Sequence, residues 1–130
     1  LMAAVRPDTV LTFGPDGMTG HDDHKAASRW ATAAFDAAAP DGALLAYATN
    51  TPDWVARFKP RLDEFNVYMG VEPPAHPPDE LVVHVELEGD LLETKVRAIR
   101  AMTSQVEPLV AGLGEDFLRE GMVQEAFRPR

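Results

Sequence analysis

The sequence predicts an α/β protein built on a parallel sheet with covered faces. Three stretches carry that expectation. Asp8-Thr9-Val10-Leu11-Thr12-Phe13 and Ala43-Leu44-Leu45-Ala46-Tyr47-Ala48 are short apolar runs of strand length. Between them Ala26, Ala27, Trp30, Ala34 and Ala37 recur at steps of three and four, the spacing of one helix face. Strand, helix, strand and a second helix in that order make the repeating unit of a parallel sheet.

The elements follow in order. Leu1 to Val5 reads as a helix end that Pro7 stops. The first strand, over Asp8 to Phe13, is expected to be buried, and Gly14-Pro15-Asp16-Gly17 turns the chain out of it. Asp22 and Asp23 sit near the start of the helix through Ala26 and Trp30, where carboxylates suit the unpaired N–H groups and the dipole. Ala39-Pro40-Asp41-Gly42 ends it. Thr51-Pro52-Asp53 begins another helix, with Thr51 as cap and Pro52 in the first turn; Pro60 is expected to break or kink it.

Val71 to Asp79 is Pro-rich and predicts an extended loop, about residues 71–80. Leu81 to Leu87 alternates, with Val83, Val85 and Leu87 on one side and His84 and Glu86 on the other: a half-exposed strand. Leu91, Leu92, Val96, Ile99 and Met102 mark an amphipathic helix to about Ser104-Gln105, and residues 112–121 hold room for one more. Trp30, Trp54, Phe58, Ile99 and Met102 are expected in the core; His84 and the acidic run Glu86 to Asp90 are expected to be solvated.

Composition narrows the function classes. The chain has 130 residues, enough for one domain with a real core. A net charge of -9 argues against a nucleic-acid surface, which needs a basic patch, and against an anionic membrane surface. No apolar run is long enough to span a membrane. Without cysteine, any metal must be held by His, Asp or Glu, and a reducing cytoplasm is permitted.

The chemistry-bearing stretch is Thr19-Gly20-His21-Asp22-Asp23-His24. It puts two imidazoles and two carboxylates after a Gly-containing loop, at the carboxyl end of a predicted parallel strand, where open α/β sheets bind ligands. Neutral imidazole is a good zinc ligand, and a catalytic zinc needs three protein ligands and a water. The cluster offers part of such a set. From spacing alone, caps and solvated polar residues at a helix start outweigh a metal site, because H-x-x-H by itself is a weak motif.

Context changes that weight. Pro7-Asp8-Thr9-Val10-Leu11-Thr12-Phe13, the loop Gly14 to Gly17 and Gly20-His21-Asp22-Asp23-His24 together resemble the second signature of the LmbE/PIG-L deacetylases: P-D-x-V-(apolar)-T, a Gly-containing loop, then G-H-x-D-H opening a helix. Asp90 to Gln105 is similar to that family's late helix, with its Lys, its Arg-Ala stretch and its terminal Ser-Gln.

The resemblance implies part of a Rossmann-like parallel sheet with flanking helices, plus a C-terminal strand and helix. It implies zinc, or another divalent metal, hydrolysing the N-acetyl group of a GlcNAc-containing sugar conjugate in a cytoplasmic enzyme. It makes His24 a metal ligand, His21 an oxyanion stabiliser beside the scissile carbonyl, and Asp23 the group that orients and charges His21. Asp22 takes a variable position and has no role. Thr19 stands where some members carry a tyrosine.

The family's first signature, A-H-P-D-D-E, supplies a His and an Asp to zinc and a further Asp as general base. It does not precede His21, so the chain is expected to be the C-terminal portion of a larger deacetylase domain, inactive alone. Ala75-His76-Pro77-Pro78-Asp79-Glu80 matches it in letters but has Pro78 at an acidic position and lies in the Pro-rich loop. Two rivals stay open: a non-catalytic binding or homo-oligomerising module, and a self-contained metal site of His24, His76 and Asp79.

Overall fold

The computed structural model describes all 130 residues. Its elements run α1 (Met2–Val5), β1 (Thr9–Phe13), α2 (Asp22–Ala38), β2 (Leu44–Ala48), α3 (Pro52–Asp63), a 3-10 turn (Pro78–Glu80), β3 (Val83–Glu86), α4 (Gly89–Arg100), α5 (Thr103–Leu113), α6 (Glu115–Gly121) and β4 (Gln124–Pro129). The four strands form one sheet in the order β1-β2-β4-β3. This is the expected α/β arrangement. β1 and β2 are parallel, with Phe13 opposite Ala48, and α2 makes the crossover between them.

The rest of the sheet is antiparallel. β4 pairs with β2, Tyr47 opposite Arg128, and with β3, His84 opposite Ala126. The last strand thus inserts between β2 and the strand expected from the alternating valines. In β2 Leu45, Ala46 and Tyr47 are all buried, as a central strand with both faces covered requires.

β1 corrects an expectation. It lies at the sheet edge, and Leu11 is 50% exposed rather than buried. α2 corrects another. Ser28 is its buried residue, Thr32 is hydrogen-bonded to Tyr47 at 2.9 Å, and Trp30 is 74% exposed. The face against β1 and β2 is therefore Ser28-Thr32-Phe35, and the stripe through Trp30 and Ala34 looks outward. Alanine fits either side of a helix, so the hydroxyl-to-phenol bond and the small Ser28 set the orientation.

α3 starts as expected: the Thr51 hydroxyl accepts from the Trp54 N–H at 3.3 Å, with Pro52 in the first turn. It does not break at Pro60 but continues to Asp63. Phe58 and Leu62, buried on either side of the proline, anchor both halves in one cluster with Tyr68 and Leu113. Trp54 packs on that cluster and donates from Nε1 to the Gly121 carbonyl at 3.0 Å.

The late amphipathic helix ends at Arg100, not near Gln105. Met102 leaves the helical conformation, at φ -87 and ψ 59, and α5 starts at Thr103. The new direction buries Val106 and Leu113, while Met102 is 52% exposed rather than in the core. No helix is long and apolar enough to cross a membrane.

Candidate functional site

The carboxyl ends of β1 and β2 lie side by side, because the strands are parallel and in register. The loops that leave them converge on one edge of the sheet. Gly14 to Gly20 leaves β1, and Thr49, Asn50 and Thr51 leave β2. The Pro-rich segment returns to the same edge: Asn50 pairs with Ala75, and the His76 N–H donates to the Asn50 carbonyl at 2.9 Å.

The β1 loop is held at its base. The Gly17 N–H donates to the Gly14 carbonyl at 2.9 Å, and the Met18 N–H to the Asp16 carboxylate at 2.6 Å. Gly17 has φ +73 and Gly20 φ +78, conformations that glycine adopts at no steric cost. A methyl group at Gly20 would stand 2.6 Å from the Val71 side chain, so this backbone is pressed against the segment after α3.

Against that loop, at the start of α2, the two imidazoles meet. The His21 and His24 ring centroids are 5.3 Å apart. The Thr19 hydroxyl lies 2.8 Å from Nδ1 of each ring. Nδ1 of His24 is also 3.0 Å from the Gly17 carbonyl. The His24 ring stacks on Phe13, the last residue of β1, with centroids 4.0 Å apart and planes 5° from parallel. His21 is the N-cap residue of α2, yet its side chain makes no capping bond. Neither ring is spent on helix capping, which removes one bland explanation for the motif.

The carboxylates are placed differently. Asp23 is exposed and accepts from the His24 backbone N–H at 2.9 Å, and Asp22 is paired with Lys25 at 3.8 Å. Thr19, which motif reading left without a role, is the residue bonded to His21. His76 is half-buried, and its Nδ1 lies 2.8 Å from the Thr49 hydroxyl. A recess of about 270 Å³ shares Met18 with the β1 loop and is further lined by Thr49, Asn50, Trp54 and Lys95.

A carbonyl oxygen can only accept, so Nδ1 of His24 carries the proton it gives to Gly17. Nε2 of the neutral ring then keeps its lone pair, the arrangement typical of a histidine metal ligand. His24 therefore fits one position of a zinc centre. A complete centre does not fit these residues: no three His, Asp or Glu side chains are gathered where one ion could bind them. The self-contained site of His24, His76 and Asp79 is not assembled.

No family model matches the chain. Over 141 aligned residues, 95% of its length, it is 28% identical to 1D-myo-inositol 2-acetamido-2-deoxy-alpha-D-glucopyranoside deacetylase of Rhodococcus opacus (strain B4). This chain is similar to a deacetylase. It spans 48% of that deacetylase's length.

Proposed function

We propose that the chain forms part of a zinc-dependent N-deacetylase that hydrolyses the acetamido group of an amino-sugar conjugate. The observation that carries this reading is the Thr19-linked pair His21 and His24 at the carboxyl edge of β1. Similarity to a deacetylase whose name specifies a 2-acetamido-2-deoxy-glucopyranoside supports the substrate class. In this reading His24 is a metal ligand. His21 donates from Nε2 to the amide oxygen as negative charge develops on it, and Asp23, two residues away, is the carboxylate proposed to orient it. A zinc bound at such a site would polarise the amide and acidify its water. Its other ligands and the general base come from beyond these residues, in a longer cytoplasmic enzyme.

The test is release of free amine from a 2-acetamido-2-deoxy-glucopyranoside by the full-length protein, with zinc content measured alongside. His24→Ala should lose zinc and activity together. His21→Ala should keep zinc and lose activity by about a hundredfold, the usual effect of removing one oxyanion donor. Activity unchanged in both variants rules the reading out.

A second reading has its own support. β1 is an edge strand, with Leu11 50% and Trp30 74% exposed. Unpaired strand edges and exposed apolar residues favour association. A non-catalytic assembly module predicts a stable homodimer by light scattering, no zinc, and dissociation in Leu11→Lys.

A further inference from the structure

We infer that Thr19 is a positioning residue that holds the two imidazoles in opposite tautomers, His24 as an acceptor and His21 as a donor at their outward nitrogens.

The proton count leads there step by step. Gly17 offers only a carbonyl, so Nδ1 of His24, 3.0 Å away, carries hydrogen. That same nitrogen is 2.8 Å from the Thr19 oxygen, so its one N–H is shared between the two oxygens and Thr19 accepts there. A threonine hydroxyl has one proton, and it cannot point at a nitrogen that already bears one. The remaining partner at 2.8 Å is Nδ1 of His21. Thr19 therefore donates to His21, whose Nδ1 holds a lone pair and whose proton lies on Nε2.

Two rings of the same kind, one helical turn apart, are thus made unlike. His24 presents a bare Nε2, suited to a cation. His21 presents an N–H, suited to an oxygen that is gaining charge. The dependence of this polarity on a side chain is specific: serine preserves the hydroxyl, and valine keeps the shape and removes it. The value of the polarity for catalysis rests on the deacetylase reading; the tautomers themselves do not.

The experiment is long-range proton–nitrogen NMR of the imidazoles in the metal-free chain, at a pH above their titration. Wild type should show His24 protonated at Nδ1 and His21 at Nε2. Thr19→Val should move the His21 nitrogens towards a tautomer mixture, and Thr19→Ser should restore them. Matching tautomers in wild type, or nitrogen shifts unmoved by Thr19→Val, overturn the inference, and the wild-type spectrum alone can do so even if Thr19→Val does not fold. In the full-length enzyme Thr19→Val should lower kcat about tenfold with KM little changed. An inactive wild type would sink the deacetylase reading, while the nitrogen spectra would still decide the tautomers.

Discussion

Phe13 and His24 lie face to face, their ring centroids 4.0 Å apart, so the last residue of the first strand sets the plane of an imidazole on the helix that follows. The stack links the fold to the site. Strand pairing of Phe13 with Ala48 places the phenyl ring at the end of β1, and the imidazole stacked on it has Nδ1 3.0 Å from the Gly17 carbonyl.

Phe13→Leu should separate these two contributions. It keeps apolar bulk and loses the aromatic pair, so urea unfolding should show a loss of about 1 kcal/mol. The His24 ring should become mobile, seen as averaged imidazole shifts. A rigid His24 in the variant would mean that Thr19 and Gly17 hold the ring without the stack.

Gly17 tests the loop. Its φ of +73 disfavours any side chain, and a methyl there would meet the Lys25 side chain at 2.9 Å and the His21 carbonyl at 3.2 Å. Gly42 has a similar φ of +81 but nothing within 4 Å. Gly42→Ala should cost about 1 kcal/mol for backbone conformation alone. Gly17→Ala should cost more, and should also disturb the His24 bond to the Gly17 carbonyl. Equal losses in denaturant melts would show that the loop relaxes around the methyl.

Acid should loosen two contacts, that of the C-terminal Arg130 with α2 and that of α6 with α4. The hydrogen bond from Arg130 holds the Asp36 carboxyl below its ordinary 3.8, and that from Arg119 holds Glu93 below its ordinary 4.5. A depressed carboxyl stabilises the fold above the unfolded value and stops doing so as pH falls through the folded one. Stability should therefore fall below about pH 4, and Asp36→Asn should flatten that limb. Salt should weaken the effect, since both pairs are exposed. An acid limb identical in Asp36→Asn would show that the pair to Arg130 contributes nothing.

What could be read from the sequence was what local chemistry decides. Thr51-Pro52 started α3 and the apolar run at Leu44 made a central strand, because caps and burial act within a few residues. The buried face of α2 could not be read this way. Its alanines, Ala26, Ala27, Ala31, Ala33 and Ala34 among them, tolerate either side, and Trp30 marked the wrong one. β4 was invisible because Gln124-Glu125-Ala126-Phe127-Arg128-Pro129 has no clear alternation; it is a strand through its partners on both sides. At the site, motif matching found His21 and His24. It marked Thr19 only as the replacement of a tyrosine and could not place it between the rings, which depends on two left-handed glycines, Gly17 and Gly20.

Alkali should unfold the protein through Tyr68. Burial pushes its phenol up from 10.0 to about 12, and nearby Asp63 adds to the shift. The folded chain therefore holds the proton more tightly than the unfolded one. That stabilisation is complete below pH 10 and is lost as pH rises through about 12. The consequence reaches the site, because Tyr68 belongs to the core cluster while its carbonyl lies 3.3 Å from where a methyl on Gly20 would stand. Loss of Tyr68 packing should therefore free the loop that leads into His21 and holds Thr19 against both rings. Phenolate absorbance followed beside circular dichroism should show one tyrosine ionising together with unfolding, and Tyr68→Phe should shift the alkaline midpoint upward. An unshifted midpoint would place the alkaline weakness elsewhere in the chain.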